Sequence, residues 1–335
     1  MSKVLEVRDL VTKFYTFDGV VHALNHVGFD LDQGETLAIV GESGSGKIVT
    51  MLSLLHLLPV PPARIEAGQA IYYDDAEPID LLEQSKSEIS RIRGGKIGFI
   101  FQDALSALNP VMTVGRQISE SLIEHTAMGA DEAKARTIEL LEHVGIPGAR
   151  QRYRNYPHQF SGGMRQRVMI AVAIACNPKI VIADEPTTAL DVTVQAQIVD
   201  LTKQLQDEMN MAVIWITHDL GVVAGIADRV LVMYAGCPVE IAAVDDLYEH
   251  PRHPYTMGLL GALPRVDRTE TERLVSIEGA PPDLMEAPCH CQFVWRCPYA
   301  FDRCWQEIPP QTEVDQRHFA TCFYDIEQGR PRQDG

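Results

Sequence analysis

Gly41-Glu42-Ser43-Gly44-Ser45-Gly46-Lys47 sets three glycines, two hydroxyls and one ammonium between the apolar run 37–40 and the helix-prone stretch 49–58. Successive backbone N–H groups of such a loop surround a phosphate, and the following helix adds the positive end of its dipole. The glycines permit positive φ and close approach, and Lys47 brings its ammonium to the β and γ phosphates of a nucleoside triphosphate. Ile48 departs from this chemistry. A Ser or Thr hydroxyl at that position ligates Mg²⁺, and an aliphatic side chain has no oxygen to offer. Thr50 is a poor substitute, because two residues further along a helix its side chain points away from the loop. Two readings stay open at Ile48: a variant with function otherwise intact, and a site with impaired Mg²⁺ binding and hydrolysis.

Asp184 and Glu185 close the apolar run 180–183. Adjacent residues at a strand end point in different directions. Asp184 is therefore placed to reach a metal, directly or through water, and Glu185 to orient and polarise an attacking water as general base. A second cluster lies near the C-terminus, where five of the seven cysteines occur at 289, 291, 297, 304 and 322. In a chain with no secretory features this clustering favours a metal over disulfides. Cys291, Cys297, Cys304 and Cys322 follow the spacing C-x5-C-x6-C-x17-C. Four thiolates suit zinc or an iron–sulfur cluster, and the spacing does not choose between them. Cys289 and His290 offer an alternative ligand at the first position, and four buried free thiols are the alternative without a metal.

These residues need a scaffold that holds loops at strand ends. Short apolar runs at 37–40, 97–101, 180–183, 212–216 and 230–233 read as strands, with helical stretches between them. That alternation predicts an α/β fold with a mostly parallel sheet, the runs 180–183 and 212–216 being apolar enough for burial on both faces. Val114, Ile118 and Leu122, then Ile138, Leu141 and Val144, recur at three- or four-residue intervals and predict an inserted helical lobe over 113–145. After about residue 264 proline, cysteine and polar residues replace the periodic pattern, which predicts a separate appendage.

The 335 residues carry 29 Lys and Arg against 46 Asp and Glu, a net charge of −17, so a chain-wide basic footprint for nucleic acid is absent. The same acidity repels anionic lipid headgroups and disfavours attachment through a basic surface. The longest apolar run, 168–176, is about half of a bilayer span, and nothing at the N-terminus resembles a secretion signal. A cytoplasmic protein is expected.

Taken in order, these motifs make the chain resemble the ATP-binding subunits of ABC transporters over nearly its whole length. Phe160-Ser161-Gly162-Gly163-Met164-Arg165-Gln166 resembles the family signature, a helix N-terminus that meets the γ-phosphate of ATP held by an opposing subunit. The resemblance implies a P-loop NTPase core over 1–264, a helical subdomain at about 103–165, and a small Cys-rich C-terminal region over 265–335. It implies that Gly41, Ser43, Gly44, Ser45, Gly46, Lys47, Ile48 and Val49 line ATP, with Mg²⁺ reached by Asp184 and Gln102. Gln102 also touches the attacking water and links it to the helical lobe. Glu185, Gln102 and His218 form the catalytic group, His218 contacting the γ-phosphate. Ser161, Gly162 and Gly163 serve the partner's ATP. Asp191 communicates across the dimer, and an aspartate there also caps the helix that follows. Phe14 stacks on adenine, with Tyr15 as the neighbouring candidate.

Tyr234-Ala235-Gly236, His253-Pro254-Tyr255-Thr256, Gly279-Ala280-Pro281-Pro282-Asp283-Leu284 and the cysteines narrow the resemblance to the dipeptide and oligopeptide (peptide or nickel) importer ATPases, some of which carry a [4Fe–4S] cluster. That subfamily implies a head-to-tail dimer with a second ATPase, favouring a paralogue, together with two transmembrane permease subunits and an extracellular solute-binding protein. The chain then sits on the cytoplasmic face of the inner membrane and energises peptide uptake. A nickel-chelate importer and, because of Ile48, a weakly hydrolysing regulatory subunit are the alternatives.

Overall fold

Every residue of the strand Thr36–Val40 is buried, as its unbroken apolar run requires, and the phosphate loop starts where that run ends. The computed structural model describes residues 2–74, 77–188, 190–263 and 277–332, and the chain divides into two units. Among the described residues no helix is long and apolar enough to cross a membrane.

One unit comprises Leu5–Asp30, Leu37–Leu82 and Thr217–Gly335. In it Leu37 to Val40 pair in parallel with Arg229 to Val232 of the fully buried strand Arg229–Tyr234. Cys237–Ala243 then pairs antiparallel with Arg229–Tyr234, and His318–Thr321 antiparallel with Cys237–Ala243, before Gln311–Asp315 completes the edge. A second sheet takes Lys3–Thr16 antiparallel to Ala63–Tyr73, with Leu5 opposite Tyr72 and Phe14 opposite Ala63. The helix after the phosphate loop runs Lys47–Leu54 and stops short of the expected residue 58. His56 there takes a left-handed φ of 50°, and Pro59 follows it closely.

The other unit comprises Met1–Val4, Leu31–Thr36 and Glu83–Ile216. Ile97–Ile100, Ile180–Asp184 and Ala212–Thr217 lie side by side in parallel, with Ile180 opposite both Ile97 and Ala212. The last two are buried almost throughout, as their apolar runs predict. Gly98 lets the helix Gly162–Ile174 close on this sheet, because a Cβ there would lie 2.2 Å from the Ala173 carbonyl oxygen. The helical lobe is the pair Val114–His125 and Ala130–His143, joined inside by the Ser119 and Thr137 hydroxyls at 2.9 Å.

The C-terminal region differs from the expected separate appendage. Its strands His318–Thr321 and Gln311–Asp315 extend the sheet that carries the phosphate-loop strand. The signal was missed because four residues with buried His318 and Ala320 alternate too briefly to register as a strand. The joint is buried and polar: Glu240, 1% exposed, accepts from His318 Nε2 at 2.8 Å and from the backbone N–H groups of Arg252 and His253 at 2.6 and 2.9 Å. The expected domain boundary at 264/265 lies outside the described residues.

Candidate functional site

Two glycines fix the path of the phosphate loop. At Gly41, φ is +150° and a Cβ would lie 2.2 Å from the Met233 carbonyl oxygen; at Gly46, φ is +100° and the nearest neighbour, Leu24, stands at 2.8 Å. A Cβ at Gly41 would force the backbone to move, and both φ values are ones that a residue with a side chain rarely adopts. Gly46 caps the helix Lys47–Leu54, whose first N–H groups are the donors for an anion. Lys47 Nζ donates to the carbonyl oxygens of Gly41 at 2.7 Å and Glu42 at 2.9 Å, so the ammonium is held over its own loop. Ser43 and Gly44 are exposed, Ser45 is buried, and Ile48 and Val49 are half-buried. Thr50 is fully buried and its hydroxyl donates to the Gly46 carbonyl at 3.0 Å, which removes it as a stand-in for the hydroxyl lacking at Ile48. Phe14 is half-buried on its strand, while Tyr15 donates its hydroxyl to Glu66 at 2.8 Å. His218 follows the strand Ala212–Thr217, is exposed, and belongs to the same unit as the phosphate loop.

In the other unit the strand Ile180–Asp184 ends on the carboxylate pair. Glu185 has a left-handed φ of 42°, held by its N–H donating to the Ile216 carbonyl at 2.9 Å. A non-glycine residue kept in that region stores strain, which in proteins concentrates at functional positions. Glu185 Oε2 accepts from Gln102 Nε2 at 3.1 Å and from the Thr188 hydroxyl at 2.9 Å. The structure thus brings together Gln102 and Glu185, two of the expected catalytic residues. Thr188 was missed by sequence reasoning, although a hydroxyl three residues after an acid is a signal for such a bond. Ser161 caps the helix Gly162–Ile174, its hydroxyl accepting from Met164 N–H at 3.4 Å. Gly163 faces Val194, whose Cγ1 would lie 2.7 Å from a Cβ, so the signature helix and the helix Val192–Met209 meet closely. Asp191 caps that second helix, accepting from Val194 N–H at 3.0 Å, as an aspartate before a helix predicts.

The cysteine segment lies in the unit of the phosphate loop. Cys304 and Cys322 are buried, Cys291 and Cys297 half-buried, and Cys289 exposed. Burial first, and then neighbouring thiols of the same set, push Cys291 and Cys322 up to about 12 and Cys297 up to about 11. Backbone N–H groups of Phe293, Tyr299 and Tyr324 oppose that rise, the last approaching the Cys322 sulfur at 3.4 Å. Cys291, Cys297 and Cys322 are therefore thiols rather than thiolates at neutral pH, and Cys304 is among their neighbours. Among the described residues no group of three or more His, Cys, Asp or Glu is placed to hold a metal ion, so the ligand set expected from the spacing is not assembled. With burial raising the Cys291, Cys297 and Cys322 thiols, a bound cation would be needed to hold those sulfurs as thiolates.

The ABC transporter family profile matches residues 24–188, and that of the oligopeptide/dipeptide transporter C-terminal region matches 239–304. The oligopeptide transport ATP-binding protein OppD of Bacillus subtilis (strain 168) is 50% identical over 96% of this chain and 89% of its own length. The chain belongs to the ABC transporter family. The dipeptide transport ATP-binding protein DppD of Lactococcus lactis subsp. cremoris is 48% identical over 96% of this chain and 91% of its own. Among solved structures, the dimeric ATP-binding cassette MJ0796 bound to ADP and Pi superposes with a TM-score of 0.62 at 29% identity, covering 72% of this chain and 98% of that one. The core is thus the P-loop ATPase cassette of the family, and the chain is an ATPase of that type.

Proposed function

We propose that this chain is the ATP-hydrolysing subunit that energises uptake of oligopeptides or dipeptides through an ABC importer. The observation that carries the mechanism is the Gln102–Glu185 hydrogen bond at the end of the carboxylate strand. In this reading Glu185 is the general base and Gln102 orients the same water, while Asp184 and Gln102 meet Mg²⁺. Lys47 and the loop positions Gly41, Ser43, Gly44, Ser45, Gly46, Ile48 and Val49 hold the phosphates, His218 contacts the γ-phosphate and Phe14 takes the adenine. Ser161, Gly162, Gly163 and Asp191 act on the ATP of a second ATPase, a paralogue, packed head to tail. The names of the relatives, oligopeptide and dipeptide transport proteins, support peptides over nickel chelates.

The chain sits peripherally on the cytoplasmic face of the inner membrane, carried by two permease subunits that an extracellular solute-binding protein feeds. Supporting this, a cavity of about 290 Å³ opens between the carboxylate-side sheet and the helical lobe, lined by Phe99, Phe101, Leu108, Met112 and Met169. Phe101, Leu105 and Val111 are exposed near it, an apolar footing for a permease helix.

In an importer whose partner ATPase lacks its own catalytic carboxylate, Glu185→Gln is expected to slow single-turnover ATP hydrolysis by about 10²-fold or more while ATP still binds. Hydrolysis at the wild-type rate would overturn the assignment.

Cys291, Cys297, Cys304 and Cys322 hold an iron–sulfur cluster of the [4Fe–4S] type in this reading. The backbone N–H groups of Phe293, Tyr299 and Tyr324 would support the sulfurs as thiolates once a bound cluster displaces their protons, and such a cluster would supply a structural clasp or a one-electron centre. Anaerobically purified chain is expected to contain iron and sulfide and to lose both in Cys304→Ser. Zinc in place of iron would replace the cluster with a structural metal site.

A further inference from the structure

Arg296, between Cys291 and Cys297 in sequence, reaches into the phosphate loop. Its side chain is 3% exposed and pairs with Glu42 through both arms, Nη1 to Oε2 at 2.7 Å and Nη2 to Oε1 at 3.0 Å. The remaining donors go to Tyr234 Oη at 3.3 Å and to the carbonyl oxygens of Ile277 at 3.2 Å and Glu278 at 3.0 Å, so all five guanidinium N–H groups are used. The guanidinium also lies 5.7 Å from the Tyr234 ring centre. On the backbone side, Glu42 N–H donates to the Tyr255 hydroxyl at 2.9 Å, and the Glu42 carbonyl is one of the oxygens that hold Lys47 Nζ. Pro281, Pro282 and Leu284 of the same C-terminal segment line a cavity of about 180 Å³ against Glu42, Ser43 and Gly44. That stretch is anchored by His22 N–H donating to the Leu284 carbonyl at 2.8 Å.

A carboxylate inside a loop that gathers N–H groups and an ammonium for a polyanion works against its purpose, because like charges at such range repel strongly where water is scarce. The bidentate arginine removes that charge and at the same time fixes the residue whose carbonyl steers the lysine. We propose that Arg296 is a positioning residue for the phosphate loop, screening Glu42 from the bound triphosphate and holding Lys47 in place from the cysteine segment. The inference rests on the loop being the ATP site. By reciprocity, whatever orders the cysteine segment tightens ATP, and ATP tightens the segment.

The test is an equilibrium titration of the full chain with Mg-ATP, together with KM for ATP and kcat in the assembled importer. Arg296→Met and Arg296→Gln are expected to weaken ATP binding and raise KM by about tenfold, with kcat changed by less than about threefold. Arg296→Gln keeps polar contacts to the Ile277 and Glu278 carbonyls and guards against a variant that does not fold. Adding Glu42→Gln to either variant is expected to recover most of the lost affinity, since the unscreened charge is then gone; a merely structural staple would show no such recovery. Unchanged ATP binding in both arginine variants, or a defect that Glu42→Gln leaves in place, overturns the proposal. A wild-type chain that fails to bind Mg-ATP would overturn the ATP site itself, and this inference with it.

Discussion

Ile48 is the residue where the phosphate loop and its chemistry disagree. The loop is otherwise complete, and Thr50, the nearest hydroxyl, is buried and committed to the Gly46 carbonyl. A Mg²⁺ ion bound here would lack the side-chain oxygen that a Ser or Thr at this position offers. Ile48→Ser is expected to raise Mg²⁺-dependent single-turnover hydrolysis at this site by about tenfold and to lower the Mg²⁺ concentration needed for half-maximal rate. Equal rates and equal Mg²⁺ dependence in the two forms would show that the metal is held without that ligand. At this scale the sequence was informative wherever residue type and neighbour order were both unusual, as in Gly41 to Lys47 or Asp184-Glu185. It was silent on Arg296, whose partner Glu42 lies 254 positions away and whose surroundings have no periodicity. Thr188 was overlooked for a different reason, since a threonine in a turn is common and only the Glu185 conformation gives it a role.

Among the elements, the helix Pro254–Gly261 shows how a buried imidazole is used without charge. His253 caps it, Nδ1 accepting from Tyr255 N–H at 3.1 Å, and burial pushes the ring down to about 3. Between the unfolded value near 6.5 and that lower one, the unfolded chain binds a proton that the native chain refuses. Stability therefore drops as pH is lowered through this window, by roughly 1.4 kcal/mol per pH unit from this one group. Asparagine can accept the same N–H without titrating. His253→Asn is expected to flatten the loss of the thermal midpoint between about pH 6.5 and about pH 5; parallel curves for the two proteins would assign the acid sensitivity elsewhere. Element by element, the five apolar runs became strands at nearly the predicted limits, because burial on both faces leaves an unbroken apolar signature. The strand His318–Thr321 left none: a histidine is its most buried side chain but one, and its fit depends on Glu240, 78 residues earlier.

Across the whole molecule, the largest departure from the sequence reading is where the chain divides. Composition shifts near residue 264, yet the residues after it share a unit with the phosphate loop, while the carboxylates and helical lobe form the other. Composition reports what a segment is made of and not what it leans on, and Glu240 is the instructive case. A buried carboxylate needs donors, and three are supplied, from His318, Arg252 and His253, only once distant parts of the chain have met. The unit holding Glu83–Ile216 is assembled almost wholly from one stretch and can consolidate while the rest is still being made. The phosphate loop, by contrast, is translated well before the strand beside it, the arginine that grips it and the hairpin that seals its sheet. The nucleotide-gripping unit of this protein is thus completed only after the carboxylate-bearing stretch has been translated, and its earlier segments wait for their partners within reach of chaperones and proteases.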